Sequence, residues 1–479
     1  MIKKKKFISD IIINEEINKW TYGDNILIDA QTGKGKTYFI KEKLAKYGNI
    51  LILTNRDNLK EQLTYDIGEV NNVTVKNYQE VEEFIIKDRL VLDNYDYLVC
   101  DEAHYFFTDA SFNNKTDLVL NEILDNTMLI KIFMTATSWT LKTYLGDKIA
   151  YSYMIERDYS YIDKIQVFKD FETIEDILQT IPSNEKAIIF STKLDKLYKL
   201  SEKHNGAFIC SKHNTKWAKK IDNDELDSIK VNAKFNKQLL FSSTALDNGV
   251  NIKDEAVTTI ILDIWDRDTF IQCLGRKRIN DGEKVNLYFR DINKQHLGGS
   301  ISKVNNALKV ADTLIEKGQE EFIKTTFKVK YDHRIIDDIV IDNGNYKKIV
   351  NKCMYAKFKT DKLFYDTIRN GYSTFVNIIL NNLNINKNVI YIEKKKEEDT
   401  LNTELCKLES TVMLTAKDRE VLINTICLKD KKGRIIKNIN SLNGYLQEIN
   451  SKYRIKEFET SRMIDGKKKK FKHAWKLIK

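Results

Sequence analysis

Proline is almost missing: Pro182 stands alone among 479 residues, against an abundance of Lys, Ile and Asn. That bias reflects AT-rich codon usage and says nothing about folding. Cysteine is scarce and scattered. Cys100, Cys210, Cys273, Cys353, Cys406 and Cys427 form no CxxC pair, which argues against a disulfide framework and against a zinc site, and makes a reducing cytoplasm the expected setting. The histidines, His204, His213 and His473 among them, show no metal-ligand spacing. Long apolar runs are also absent. None approaches the roughly 18 residues that cross a bilayer, so no membrane association is expected. The opening MIKKKKFISDIIINEE is basic, but Ser9 and Asp10 interrupt its apolar part and no small-residue cleavage site follows. It reads as a solvated cap on the first helix. What is present is a globular composition, 42% hydrophobic and 31% charged, over a length that suggests about three domains.

The most informative stretch is AQTGKGKT, Ala30 to Thr37, followed some way on by DEAH, Asp101 to His104. The first lies between an apolar run, Ile26 to Ile28, and a helix-like stretch, Thr37 to Lys46, where a phosphate-binding loop belongs. Ala30, Gln31, Thr32, Gly33, Lys34, Gly35, Lys36 and Thr37 are therefore the expected ATP-binding residues. Gly33 and Gly35 let the backbone wrap the β-phosphate and aim its N–H groups inward, with the helix start adding its dipole. Lys36 reaches the β- and γ-phosphates, and the Thr37 hydroxyl holds Mg²⁺. DEAH ends another strand, Tyr97 to Cys100. Asp101 there completes the magnesium shell, and Glu102 orients or deprotonates the attacking water.

Further along, Phe241 to Asp254 reads FSSTALDNGVNIKD and Phe270 to Asn280 reads FIQCLGRKRIN, each after an apolar strand-like run. Together with AQTGKGKT, DEAH and the MTAT at Met134 to Thr137, these resemble motifs V, VI, I, II and III of superfamily 2 helicases. Order and spacing agree over residues 20 to 292. The resemblance implies two tandem RecA-like lobes, each a parallel sheet with helices on both faces, closing on one ATP. It also implies an arginine from the second lobe at the γ-phosphate, worth about 10³ to 10⁵ in rate. Gln272 and Arg276 match the family's QxxGR and inherit γ-phosphate contact and finger. Gly275-Arg276-Lys277-Arg278 is one residue short of the usual continuation and is similar to the QxLGRxR version of some phage helicases and herpesvirus origin-binding proteins. Arg278 is then a second finger. Asp247 and Gly249 of motif V join the nucleotide site.

The same resemblance places a nucleic-acid track on Asn55 and Arg56 (motif Ia), Ser191 and Thr192 (motif IV) and Thr244 (motif V), which grip sugar and phosphate without reading sequence. Asn55 and Arg56 could instead cap the helix after them. Thr135 and Thr137 couple the ATP site to the track, and His104 senses the γ-phosphate and communicates with Gln272.

Alternating strand and helix patterns support the α/β class. Strands are expected at Ile26 to Ile28, Ile50 to Leu53, Tyr97 to Cys100 and Ile132 to Met134, with helices such as Asp57 to Ile67 and Val119 to Leu124 between them. The second lobe repeats the pattern at Ala187 to Ser191, Ala207 to Cys210, Leu239 to Ser242, Thr259 to Leu262 and Val285 to Phe289. The expected domains are 1–155, 156–295, a mostly helical accessory region 296–400 and a basic region 401–479. In the accessory region Ser302 to Gly318 and Lys362 to Leu383 read as helices, Asp342-Asn343-Gly344 as a turn, and KKKEED near Glu393 to Thr400 as a solvated linker. Beyond it, Thr415 to Asp418 resembles a capping box before a helix. A second helix puts Leu442, Tyr445, Leu446 and Ile449 on one face, and Asp465-Gly466 suits a hairpin. Helix, helix and two-stranded wing give a C-terminal α+β outline of winged-helix type.

Ser451 to Lys479 hold 11 Lys or Arg against 3 Asp or Glu, so eight of the chain's ten net positive charges lie there. Phe471, Trp475 and Leu477 read as the packed face of the hairpin. Lys467, Lys468, Lys469 and Lys470 read as phosphate contacts. The whole points to an ATP hydrolase using Mg²⁺ and moving on nucleic acid, DNA before RNA, in replication of a phage, plasmid or other mobile element, with replication proteins as partners. Two alternatives stand beside it. One is an RNA helicase, although the upstream glutamine motif of DEAD-box proteins is absent; the other is an origin-binding initiator with ATP-driven remodelling.

Overall fold

The computed structural model describes the chain except residues 1–6, 88–91, 245–249, 327–332, 341–345, 431–432 and 450. Its contacts define two compact units, Met1–Ile165 with Lys169–Asn388, and Val389–Lys479 with Gln166–Phe168.

The larger unit is built on two sheets. In the first, β1 (Asn25–Asp29), β2 (Ile50–Thr54), β3 (Val73–Asn77), β4 (Tyr97–Cys100), β5 (Ile130–Thr135) and β6 (Ile149–Met154) lie in the order β3-β2-β4-β5-β1-β6. All five pairings are parallel. The four inner strands are buried along their whole length, as a sheet covered on both faces requires. Ile8, Ile12, Trp20 and Phe39 fill one face. Leu27, Leu51, Phe106 and Phe133 fill the other, where Val304, Ala311, Met354 and Phe358 of the accessory region also pack.

The second sheet follows β7 (Ile162–Phe168), with β8 (Lys186–Ser191), β9 (Ala207–Ile209), β10 (Leu239–Ser242), β11 (Val257–Asp263) and β12 (Val285–Arg290). The order β12-β11-β8-β10-β9 is parallel throughout. Two doubly covered parallel sheets in tandem are the RecA-like pair that the motifs imply.

The accessory region departs from expectation in detail. Lys294–Thr326 is one long helical stretch interrupted at Gly318, whose φ of 76° only glycine takes without strain. The helix expected over Lys362 to Leu383 is two helices, Lys352–Arg369 and Phe375–Asn382, parted at Gly371 with φ 74°. The expected Asp342-Asn343-Gly344 turn lies outside the described residues.

The smaller unit corrects the linker reading. KKKEED lies inside a helix, Ile392–Leu408. Lys and Glu are strong helix formers, and opposite charges spaced four apart support one another on the solvent side. Leu405 is buried on the other side, with Leu401 and Leu408 packed beside it. A short strand, Val412–Met413, follows; then come helices Ala416–Ile426 and Ile439–Glu448 and strands Arg454–Ile464 and Lys467–Ile478. Thr415 caps the first of these helices reciprocally with Asp418. Asp465 and Gly466 both have positive φ, 48° and 72°, which a two-residue hairpin turn with the right twist demands. The short strand joins the hairpin edge, making a three-stranded sheet. Leu422, Leu442, Leu446, Trp475 and Leu477 share its core.

Candidate functional site

The phosphate loop leaves β1 at its carboxyl end and turns into helix Lys36–Glu42. Gly33 and Gly35 hold φ of 84° and 81°. A Cβ at Gly33 would meet nothing and one at Gly35 only ordinary contact with Phe7 at 3.6 Å, so backbone conformation, not crowding, is what demands glycine there. Lys36 Nζ lies 2.8 Å from Glu102 Oε1 and 3.3 Å from Asp101 Oδ1. DEAH thus meets the loop across the ends of β1 and β4. Glu102 takes a left-handed φ of 48°, a strained position for a long side chain of the kind found at functional sites.

Burial alone would lower the Lys36 pKa, but the carboxylates of Glu102 and Asp101 outweigh it and hold the ammonium above its ordinary value. Burial likewise opposes ionisation of Glu102. Lys36 and His104 overcome that and hold its carboxyl well below the usual range. Asp101 is raised, by burial and by Glu102. His104 is pulled down by burial and up more strongly by Glu102. Its Nδ1 stands 3.4 Å from Glu102 Oε2 and 3.3 Å from the Thr135 hydroxyl, which in turn accepts the Thr137 N–H.

The second lobe closes the cavity with helix Arg267–Leu274, capped where Asp266 Oδ1 accepts the Thr269 N–H. Gln272 and Arg276 are buried. Arg276 donates to the Gln272 carbonyl at 3.1 Å and to Gln272 Oε1 at 3.0 Å. Gln272 Nε2 finds no hydrogen-bond acceptor among the described residues. Arg278 donates to Asn251 Oδ1 at 2.8 Å, and burial and Arg276 lower its pKa to about 10. Asn251 was not singled out by sequence reasoning, though it lies within FSSTALDNGVNIKD.

These groups line one cavity of about 460 Å³, with Gly33, Lys36, Thr37, Asp101 and Glu102 on one wall and Gln272, Arg276 and Arg278 on the other. The residues fit Mg-ATP: glycine turns at the loop, cations from both lobes, and an orphaned amide N–H at its wall. Among the described residues no group of three or more His, Cys, Asp or Glu could hold a metal alone. Thr37 and Asp101 suit an ion that takes most of its ligands from phosphate and water.

Other expected ATP residues are placed differently. Ala30 is buried, its N–H donated to Thr135 O at 2.9 Å. Gln31 is tied to the interlobe segment, accepting the Asp158 N–H at 2.9 Å and donating to its carbonyl at 3.3 Å. Lys34 lines a neighbouring cavity of about 310 Å³ that Gly33 and Arg278 share; Thr32 lines both that cavity and the nucleotide cavity. Asp247 and Gly249 lie outside the described residues.

A further cavity of about 710 Å³ also lies between the lobes. Arg56 reaches it from the first lobe, Thr192 and Thr244 from the second. Its floor includes His104 and Gln272, which line the nucleotide cavity too. Two expected track residues do not face it. Asn55 is buried and donates to Asp109 Oδ2 at 3.3 Å; Ser191 is buried and donates to Asp263 Oδ2 at 2.7 Å. Arg56, the N-cap of helix Asp57–Ile67, makes no side-chain cap hydrogen bond there. Lys467 to Lys470 are exposed on the wing of the smaller unit, Lys470 paired with Glu459 at 2.6 Å.

Residues 132–280 match the family model described as helicase conserved C-terminal domain. No curated protein sequence matches the chain. Similar solved structures include Saccharomyces cerevisiae Dbp5 bound to RNA and ADP-BeF3, with 15% identity and a TM-score of 0.43 over 57% of this chain and 81% of that one. A DEAD-box protein from Methanococcus jannaschii has 18% identity and a TM-score of 0.34 over 59% and 85%. The Escherichia coli DEAH/RHA helicase HrpB has 13% and 0.40 over 60% and 43%. No helix among the described residues is long and apolar enough to cross a membrane.

Proposed function

We propose that this chain is an ATP-hydrolysing helicase of superfamily 2, a translocase that draws a DNA strand through the larger interlobe cavity. The observation that carries the reading is the shared wall: His104 and Gln272 line both the nucleotide cavity and the cavity that holds Arg56, Thr192 and Thr244. A change at the γ-phosphate therefore has two side chains to cross before it reaches the strand. In the nucleotide cavity Lys36 binds the β- and γ-phosphates, Thr37 and Asp101 hold Mg²⁺, and Gln272 and Arg276 meet the γ-phosphate from the second lobe. Mg²⁺, when bound, neutralises charge on the phosphate oxygens. Glu102, kept ionised by Lys36 and His104, is in the form that accepts a hydrogen bond from water and holds it for attack.

The basic wing supports phosphate contact, while the missing upstream glutamine motif and the shortened Gly275-Arg276-Lys277-Arg278 segment favour DNA over RNA and a role in replication of a phage, plasmid or other mobile element. ATPase activity measured in parallel with single-stranded DNA, duplex DNA and RNA tests the substrate. Stimulation by DNA well above RNA is expected; the reverse order makes this an RNA helicase, and no stimulation by any of them removes the translocase reading.

Neutralising Lys467 to Lys470 to Gln should weaken duplex DNA binding and flatten its salt dependence. Each lost phosphate contact lowers the slope of log K against log salt by about 0.9. Titrations between low and physiological salt measure it, and an unchanged slope makes the wing a solvated face.

A further inference from the structure

Phe112 is 69% exposed. It follows the Asp101–His104 segment by one short helix, Tyr105–Thr108, and a turn, and it lies on the wall of the larger interlobe cavity. Its position is fixed. Asp109 is buried, and its carbonyl accepts the Phe112 N–H at 3.0 Å and the Asn113 N–H at 2.8 Å. Asn113 in turn donates to Glu82 Oε1 at 2.6 Å and to the Tyr105 hydroxyl at 2.9 Å. The ring is thus an unshielded aromatic on an anchored loop.

A cation stands beside it. The Arg56 guanidinium carbon lies 5.8 Å from the Phe112 ring centroid, and Arg56 Nη2 lies 3.6 Å from Asp109 Oδ2. Arg56 holds a φ of 75°, which a long side chain adopts only where the surroundings impose it, and which recurs at functional sites. Thr192, Thr244, His213 and Asn214 line the same cavity from the second lobe. Hydroxyls and a guanidinium suit a sugar-phosphate backbone. A bare ring next to them suits a base, because every base presents a π-face.

We propose that Phe112 is a stacking platform for one nucleobase of the strand in this cavity, with Arg56 at the adjoining phosphate. The proposal rests on the nucleic-acid reading given above and adds a contact to the base, where the expected track residues grip only the backbone.

The test compares the wild type, Phe112→Ala and Phe112→Trp on two single strands of equal length, one of ordinary DNA and one whose sugars carry no bases. The quantity read is the strand concentration giving half-maximal ATPase stimulation. On ordinary DNA, Phe112→Ala should raise it about 5- to 150-fold, the usual worth of one base stacked on an aromatic, and Phe112→Trp should restore it. On the baseless strand the Ala and wild-type values should agree within about twofold, since there is nothing to stack. An equal shift on both strands, or none on ordinary DNA, overturns the proposal while leaving the translocase reading intact. A wild type that no strand stimulates removes that reading, and this one with it.

Discussion

Glu102→Gln should yield a protein that binds ATP and barely hydrolyses it. The change keeps the size of the side chain and its hydrogen-bonding reach towards Lys36, 2.8 Å away, but removes the charge that holds a water for attack. Loss of a positioned base is typically worth about 10² to 10⁴ in rate. Lys36→Ala acts differently, because Lys36 is both the proposed phosphate ligand and the one cation within 4 Å of both carboxylates among the described residues. Nucleotide binding and hydrolysis should both fail. Asp101 would then be buried without its cation and Glu102 would keep only His104, so stability should fall too, as when one member of a buried ion pair is deleted. Nucleotide binding, turnover with DNA present and thermal melting separate the two variants. Near wild-type turnover by Glu102→Gln would show that the acidic pair has been misassigned.

Arg276→Ala should slow hydrolysis by at least about 10³, the lower end of what an arginine finger contributes, with ATP affinity much less affected. The geometry adds a second cost. Arg276 donates to both the backbone and the side chain of Gln272, so its removal releases the amide that lines the nucleotide cavity. Arg276→Lys should not rescue, since one ammonium cannot reproduce a planar fork with two donors to one residue. Arg278, held through Asn251, should give a milder loss on replacement by Ala. If single-turnover rates instead show Arg276→Ala to be harmless and Arg278→Ala dead, the register of the sixth motif must shift.

The inner strands were legible because strands covered on both faces are continuous apolar runs. NILID, ILILT and YLVC announce themselves. The edge strands did not. In β6, IAYSYM alternates half-buried and exposed positions, and VTVKN in β3 is only half-buried until Asn77, so neither stands out from surface sequence. The charged KKKEED stretch reads as linker because its apolar partners, Leu401, Leu405 and Leu408, come only after it. Motif matching named Arg56, Thr192 and Thr244 together, and they share a cavity. Asn55 and Ser191 were named by the same matches, yet their side chains serve Asp109 and Asp263; spacing along the chain does not reveal which neighbour a side chain turns to. Phe112 carries no motif at all. Only its exposure beside Arg56 marks it.

The wall of His104 and Gln272 between the two cavities has a thermodynamic consequence. If ATP tightens the hold on a strand by some factor, the strand must tighten the hold on ATP by the same factor, because both are one coupling free energy seen from either side. Such couplings are commonly about 5- to 150-fold. A substitution in that wall cannot loosen one half of the exchange and spare the other. It changes the factor by which each ligand tightens the other equally from both sides, whatever it does to the affinity of either ligand bound alone.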